Sequence, residues 1–149
     1  MPVGAGGSIC VLASAPVGIV VDLLGTFSTG AAGLRYQSAS ELRLLDTRDG
    51  LGGWLGPDDA TQVLNVLTGL PASAVAIGTV TAVQAQTDGY VTVWSGSAQP
   101  PVASVLNYQP DAIVANLTAV DIAAGGAIGV VTNAGTANLV FDLDGWFGP

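Results

Sequence analysis

Residues 124–147 read AGGAIGVVTNAGTANLVFDLDGWF. Two short apolar runs, Ala127 to Thr132 and Asn138 to Leu143, flank the turn formers Asn133-Ala134-Gly135. Short runs rich in Val, Ile and Thr between turn signals read as β-strands. The same reading extends outward to Ser8–Ala13, Gly18–Leu23, Leu42–Asp46, Thr61–Leu67, Ala76–Gln84, Tyr90–Trp94, Ser104–Tyr108 and Ile113–Val120. In Thr79-Val80-Thr81-Ala82-Val83-Gln84, polar and apolar residues alternate, the signature of a strand with one buried face. Asp88-Gly89 is a hairpin cue, and Pro100-Pro101 and Pro110-Asp111 mark loops. A Gly-rich stretch from Arg48 to Asp59 reads as a long surface loop. Asp58 to Leu70 also carries a helical rival, with Val63, Leu64, Val66, Leu67 and Leu70 apolar. The strand reading is preferred. The expected fold is all-β: an antiparallel β-sandwich, jelly-roll-like, of about ten strands with little helix.

Composition narrows the function classes. The chain has 149 residues, a formal net charge of −8, three cationic side chains and no His. This length suits one domain with a real core. Such a charge argues against nucleic acid and anionic lipid as partners. Without His the usual neutral-pH general base and metal ligand is missing. One Cys excludes an intrachain disulfide and a Cys-rich zinc site. High apolar content and low charge argue against disorder. The most apolar stretch, Ile9 to Leu24, holds Ser14, Pro16, Gly18 and Asp22 and has no preceding Lys or Arg. It reads neither as a membrane span nor as a secretory signal.

The chain also repeats itself. Residues 5–27, AGGSICVLASAPVGIVVDLLGTF, align with 124–147 with a one-residue gap and ten identities. Gly6/Gly125, Gly7/Gly126, Ile9/Ile128, Val11/Val130, Asp22/Asp142, Gly25/Gly145 and Phe27/Phe147 fall in register. Self-similarity at a fixed period is the mark of an array of like units. The chain therefore divides into 1–27, a hairpin equivalent to the end of a preceding repeat; 28–40, a connector; and 41–149, one complete repeat packed together with 1–27.

Leu42-Arg43-Leu44-Leu45-Asp46-Thr47-Arg48-Asp49-Gly50 resembles the RLLDTR-x-G opening of an extracellular repeat domain of secreted and cell-surface actinobacterial proteins. Similar motifs follow in order: Gly89-Tyr90-Val91-Thr92-Val93-Trp94, Ala103-Ser104 with Leu106-Asn107-Tyr108, Ala115-Asn116-Leu117, and Asp142-Leu143-Asp144-Gly145-Trp146-Phe147. The resemblance covers about 42–147 and, as a tail, 3–27. It implies an all-β module, often in tandem and often appended to cell-wall hydrolases or proteases. The chain departs from the pattern at Pro100-Pro101, where Arg-Pro is usual, and at Val105, where Asn is usual. A ligand role is not carried over to those positions. Some members pair a Cys at the place of Cys10 with one on a neighbouring strand, near Ser95 in the complete repeat. Cys10 reads as the unpaired survivor of such a bridge or as a small buried hydrophobe, and its apolar strand favours burial.

The candidate site residues are few. Asp46 and Arg48, two apart on a strand, would share a face as an ion pair or a clamp for a ligand. The competing reading is a structural tie between strand end and loop. Asp142, like Asp22, sits near a Gly and an aromatic, which argues for a role in the fold, including pairing with Arg43 or Arg48. With Asp144 it could also offer oxygens to calcium, but two carboxylates without an Asp-rich loop leave that a minor reading. Trp54 in the polar loop and Tyr108 could stack on sugar rings. Trp94 and Trp146 read as caps on the core. Ser, Thr and Cys lack a His partner, and no phosphate-cradling loop precedes a helix. The expectation is a non-catalytic extracellular binding or adhesion module for glycan or cell wall, accessory to a larger secreted protein. Trp54, Asp46, Arg48 and Tyr108 form its expected surface, and no cofactor is required. The alternative is a structural spacer or self-assembling unit whose partners are neighbouring copies of the same repeat.

Overall fold

A computed structural model of the chain describes residues 4–27, 33–53, 55–57, 62–65, 74–96, 99–133 and 136–148. Among these there are eight strands and no helix: β1 (Arg35–Asp46), β2 (Gln62–Asn65), β3 (Val75–Val83), β4 (Gly89–Ser95), β5 (Leu106–Tyr108), β6 (Val114–Asp121), β7 (Ala127–Asn133) and β8 (Asn138–Gly148). They form two four-stranded sheets, ordered β1-β8-β3-β6 and β2-β7-β4-β5. Every pairing is antiparallel. The pairs are nested: first with last, second with seventh, third with sixth, fourth with fifth. Two further pairings, β3 with β8 and β4 with β7, join these pairs into sheets.

Period-two alternation explains the buried face. Along β3, Ala76, Val80 and Ala82 are fully buried, while Val75, Ile77, Thr79 and Thr81 are half-buried. Along β8, Leu139, Phe141 and Leu143 point into the core, and Asp142 and Asp144 are half-buried on the alternate positions. Leu45, Val80, Phe141 and Leu143 from one sheet and Val91, Ile128 and Val130 from the other share one buried cluster. Close packing has a local cost. A Cβ on Gly78 would lie 2.7 Å from the Phe141 ring, so the Phe fills the space that a β3 side chain would take. A Cβ on Gly129 would likewise collide with the Trp94 ring.

Two of the expected strands are absent. Ser8 to Ala13 and Gly18 to Leu23 carry no ladder, and the strands number eight rather than ten. Nor do the two runs form the expected hairpin: their counterparts β7 and β8 lie in different sheets and do not pair with each other, so each run needs a partner outside this segment. Their side chains stay exposed: Leu12 by 95%, Val20 by 86% and Leu23 by 82%. Cys10 is exposed for the same reason, against the expectation of burial. At the other end of the expected connector, β1 begins at Arg35 and takes in the polar stretch to Ser40. That stretch has no apolar alternation. It is a strand because it pairs with the end of β8, from Arg35 against Gly148 to Ser38 against Gly145. The helical rival over Asp58 to Leu70 gives way to a strand at Gln62–Asn65, and its other residues lie outside the described ones.

Candidate functional site

The end of β1 turns a corner on a buried carboxylate. Asp46 is only 3% exposed. Its backbone N–H donates to Leu51 O at 3.1 Å, and the next residue's N–H donates to Leu139 O at 3.0 Å. These bonds fix the turn, and Arg48 folds back over the carboxylate. Arg48 Nε donates to Asp46 Oδ1 at 2.8 Å and Arg48 Nη2 to Oδ2 at 2.6 Å, a bidentate pair. The Arg48 backbone N–H adds a bond to Oδ1 at 3.2 Å. From the other side Arg43 Nη1 reaches Asp46 Oδ2 at 3.1 Å. Arg43 continues to Asp142, with Nε to Oδ1 at 2.8 Å and Nη2 to Oδ2 at 3.1 Å. Four alternating charges thus run from the corner across β1 to β8.

The Arg48 guanidinium holds the Asp46 carboxyl down at about 2, and burial opposes that only in part. Hydrogen bonds to Asp142 and Asp46 raise Arg43 and Arg48 in turn. A carboxylate held ionised by two arginines has no proton to give and is a poor acceptor for one. Asp46 therefore works as an anchor.

A second polar link supports the same corner. The buried Thr47 hydroxyl donates to Asn138 Oδ1 at 2.9 Å and accepts from the Leu139 N–H at 3.0 Å. Asn138 Nδ2 then donates to Gln84 Oε1 at 2.8 Å. Gln84 has φ 55°, a left-handed conformation that costs a non-glycine residue of order 1 kcal/mol. Asp111, with φ 61°, is strained alike, and its N–H donates to Ala85 O at 3.0 Å.

Both strained residues line one open hollow of about 500 Å³, with Arg48, Gln86, Pro110 and Ile113 among its other walls. Ile113 is 74% exposed. Strained backbone of this kind clusters at binding sites, and the volume lies in the range of small-ligand sites. The hollow offers a guanidinium, two side-chain amides and a carboxylate beside the apolar Val83, Ala85, Pro110 and Ile113.

Of the residues expected to form a surface, the structure brings Asp46 and Arg48 together. Tyr108 departs from that surface. It is 3% exposed, belongs to the core cluster and lies against Gly89, and burial raises its hydroxyl pKa. The ring closes the β4–β5 pair, where a glycine leaves it room. Tyr108 borders a separate hollow, with Asp88, Asn107 and Gln109 among its walls. Trp54 lies outside the described residues. Trp94 is buried over Gly129, and Trp146 packs half-buried against the core. Asp142 has both oxygens on Arg43, and Asp144 accepts a bond from Thr79 Oγ1 at 3.3 Å.

Gln84, Gln86, Asp111 and Ile113 were missed by sequence reasoning. Pro110-Asp111 signals a loop, but nothing local says that this loop meets the β3–β4 connection. Comparison with family models and with curated proteins finds no significant match to the chain.

Proposed function

We propose that the eight strands build a β-sandwich of jelly-roll type, and that this unit is a non-catalytic extracellular binding or adhesion module for glycan or cell-wall polymer. The nested strand pairing supports the fold. Rolling a long hairpin of four strand pairs gives the two sheet orders found. The binding reading is carried by the hollow at the β1 corner. Planar amide, carboxylate and guanidinium groups are suited to pairs of sugar hydroxyls, and Ile113 is suited to the apolar face of the ring. The calcium reading of Asp142 and Asp144 is not needed for this, and the module acts as an accessory to a larger secreted protein.

Retention on insoluble cell-wall polymer and on a panel of immobilised glycans tests the reading. Gln86→Ala and Ile113→Asp should each weaken retention roughly tenfold, equivalent to about 1.4 kcal/mol, at unchanged thermal stability. A wild-type chain that is not retained on any of these would sink it. A second reading, a spacer or assembling unit, is favoured by one observation: the exposed apolar side chains of residues 9–24.

A further inference from the structure

We infer that residues 8–24 are the seventh and eighth strands of a second eight-stranded unit, and that their partner is a six-stranded acceptor with the character of β1–β6. The inference deepens the assembly reading and uses none of the residues of the Arg48 hollow.

The turn that leads into β7 is reproduced at the N-terminal end of the described chain. Ala123 N–H donates to Ala127 O at 3.0 Å and Gly126 N–H to Ala123 O at 2.9 Å. At the equivalent positions Gly4 N–H donates to Ser8 O at 2.9 Å and Gly7 N–H to Gly4 O at 3.1 Å. Gly125 and Gly126 have φ of 93° and 83°, and Gly6 and Gly7 have 86° and 78°. The sequence match is therefore also a match of local conformation. Beyond the turn the two copies part. Residues 127–148 pair with β1, β2, β3 and β4. Residues 8–24 have no ladder.

The alternation says which face is to be covered. Ile128 and Val130 point into the core, as do Leu139, Phe141 and Leu143. Their counterparts are Ile9, Val11, Ile19, Val21 and Leu23, all large hydrophobics left exposed by 42–82%. An acceptor with open edges in both sheets covers both rows at once. A second copy of this chain does not offer that seat, because its own β7 and β8 fill it.

Side-chain differences describe the acceptor further. Cys10 stands where Gly129 makes room for Trp94, so the acceptor carries a smaller residue than Trp at that place. Val21 stands where Phe141 crowds Gly78, so the acceptor tolerates a side chain where β3 has glycine. Asp22 stands where Asp142 holds Arg43, so an Arg is expected opposite it.

The test places a copy of residues 33–122 directly ahead of residue 4 of the full chain, with Trp94→Ala in the added copy. A control fusion carries residues 123–147 in place of 4–27, with Trp94 kept. Hydrogen exchange of the amides of residues 9–13 and 19–23 is then compared with the unextended chain. Protection should rise roughly a hundredfold or more in the fusion. Restoring Trp94 in the added copy should lower it, and Cys10→Gly should then recover it. A protected control beside an unprotected fusion overturns the inference. An unfolded control overturns it too, since the acceptor would then not form from these strands. So does an unextended chain that dimerises with the same amides protected, because a second copy would then be the cover.

Discussion

Residues 4–27 and 123–148 begin alike and end differently. Both open on the same glycine turn, with the same two hydrogen bonds. One continues into two strands buried in the core, and the other stays exposed. The difference separates what is written locally from what is not. A turn needs only its own residues, since glycine reaches positive φ without strain. A strand needs a neighbour to pair with and a face to bury. The same Leu at two equivalent positions is 1% exposed in one copy and 82% in the other.

That pair of leucines gives the largest expected effect. Leu143→Ala should destabilise the chain by about 2–5 kcal/mol, the range for a buried Leu truncated to Ala. Leu23→Ala should stay within about 0.5 kcal/mol. Urea unfolding of the two variants measures both. Similar losses would mean that residues 4–27 are already part of the folded core, and the comparison would break.

Exchanging the residue at the second equivalent position comes next. Gly129→Cys imports the side chain of Cys10 beneath Trp94 and should cost about 1–3 kcal/mol by overpacking. Cys10→Gly in the chain alone should leave the melting temperature unchanged, because Cys10 is exposed. A neutral Gly129→Cys would show that Trp94 can move aside, and would remove one constraint on the acceptor.

These pairs also show how far the sequence could be read. The apolar runs located all eight strands because each is a short apolar stretch between turn formers, and β3 adds a clear alternation. They over-read the N-terminal pair because alternation reports a face able to be buried, not a partner that buries it. They under-read β1, whose first residues are polar and become strand only against the end of β8. The Asp46–Arg48 tie was legible because both residues lie two apart on one segment. The hollow above it was not, since Gln84 and Asp111 come together through pairings between strands far apart in sequence, and nothing marks a Gln for positive φ. An aromatic such as Tyr108 suggests stacking on a sugar ring only if it is exposed, and composition does not say whether it is. Only the register that sets it against Gly89 shows it to be core.

Acid should act on one region and spare the other. Asp46 has a folded pKa of about 2 against 3.8 unperturbed. A depressed carboxylate pKa stabilises the fold above the unfolded value, and that contribution is lost as pH falls from about 4 towards 2. The shift corresponds to about 2 kcal/mol at most, and screening of its half-exposed arginine partners lowers that towards about 1 kcal/mol. Urea midpoints at pH 5 and pH 2.5 measure the loss, which Asp46→Asn should largely abolish. Exchange rates in residues 4–27, corrected for intrinsic pH dependence, should not change. An equal loss in Asp46→Asn would assign the acid sensitivity elsewhere.

The smallest effect concerns the two aspartates that the repeat puts in register. Asp142 is held by Arg43 through two bonds, but Arg43 is 46% exposed and Asp142 33%. Water and salt weaken such a pair, so Asp142→Asn should cost about 0.2–1 kcal/mol. The cost should shrink further at 1 M salt, where the screening length is about 3 Å. Asp22→Asn should cost nothing in either condition. The contrast is informative despite its size, because it changes no volume and leaves both backbones alone. It asks only whether the equivalent aspartate has met its arginine. In the fusion that supplies an acceptor, Asp22→Asn should acquire the small salt-dependent cost of Asp142→Asn. Failure to acquire it would mean that residues 8–24 had docked in another register.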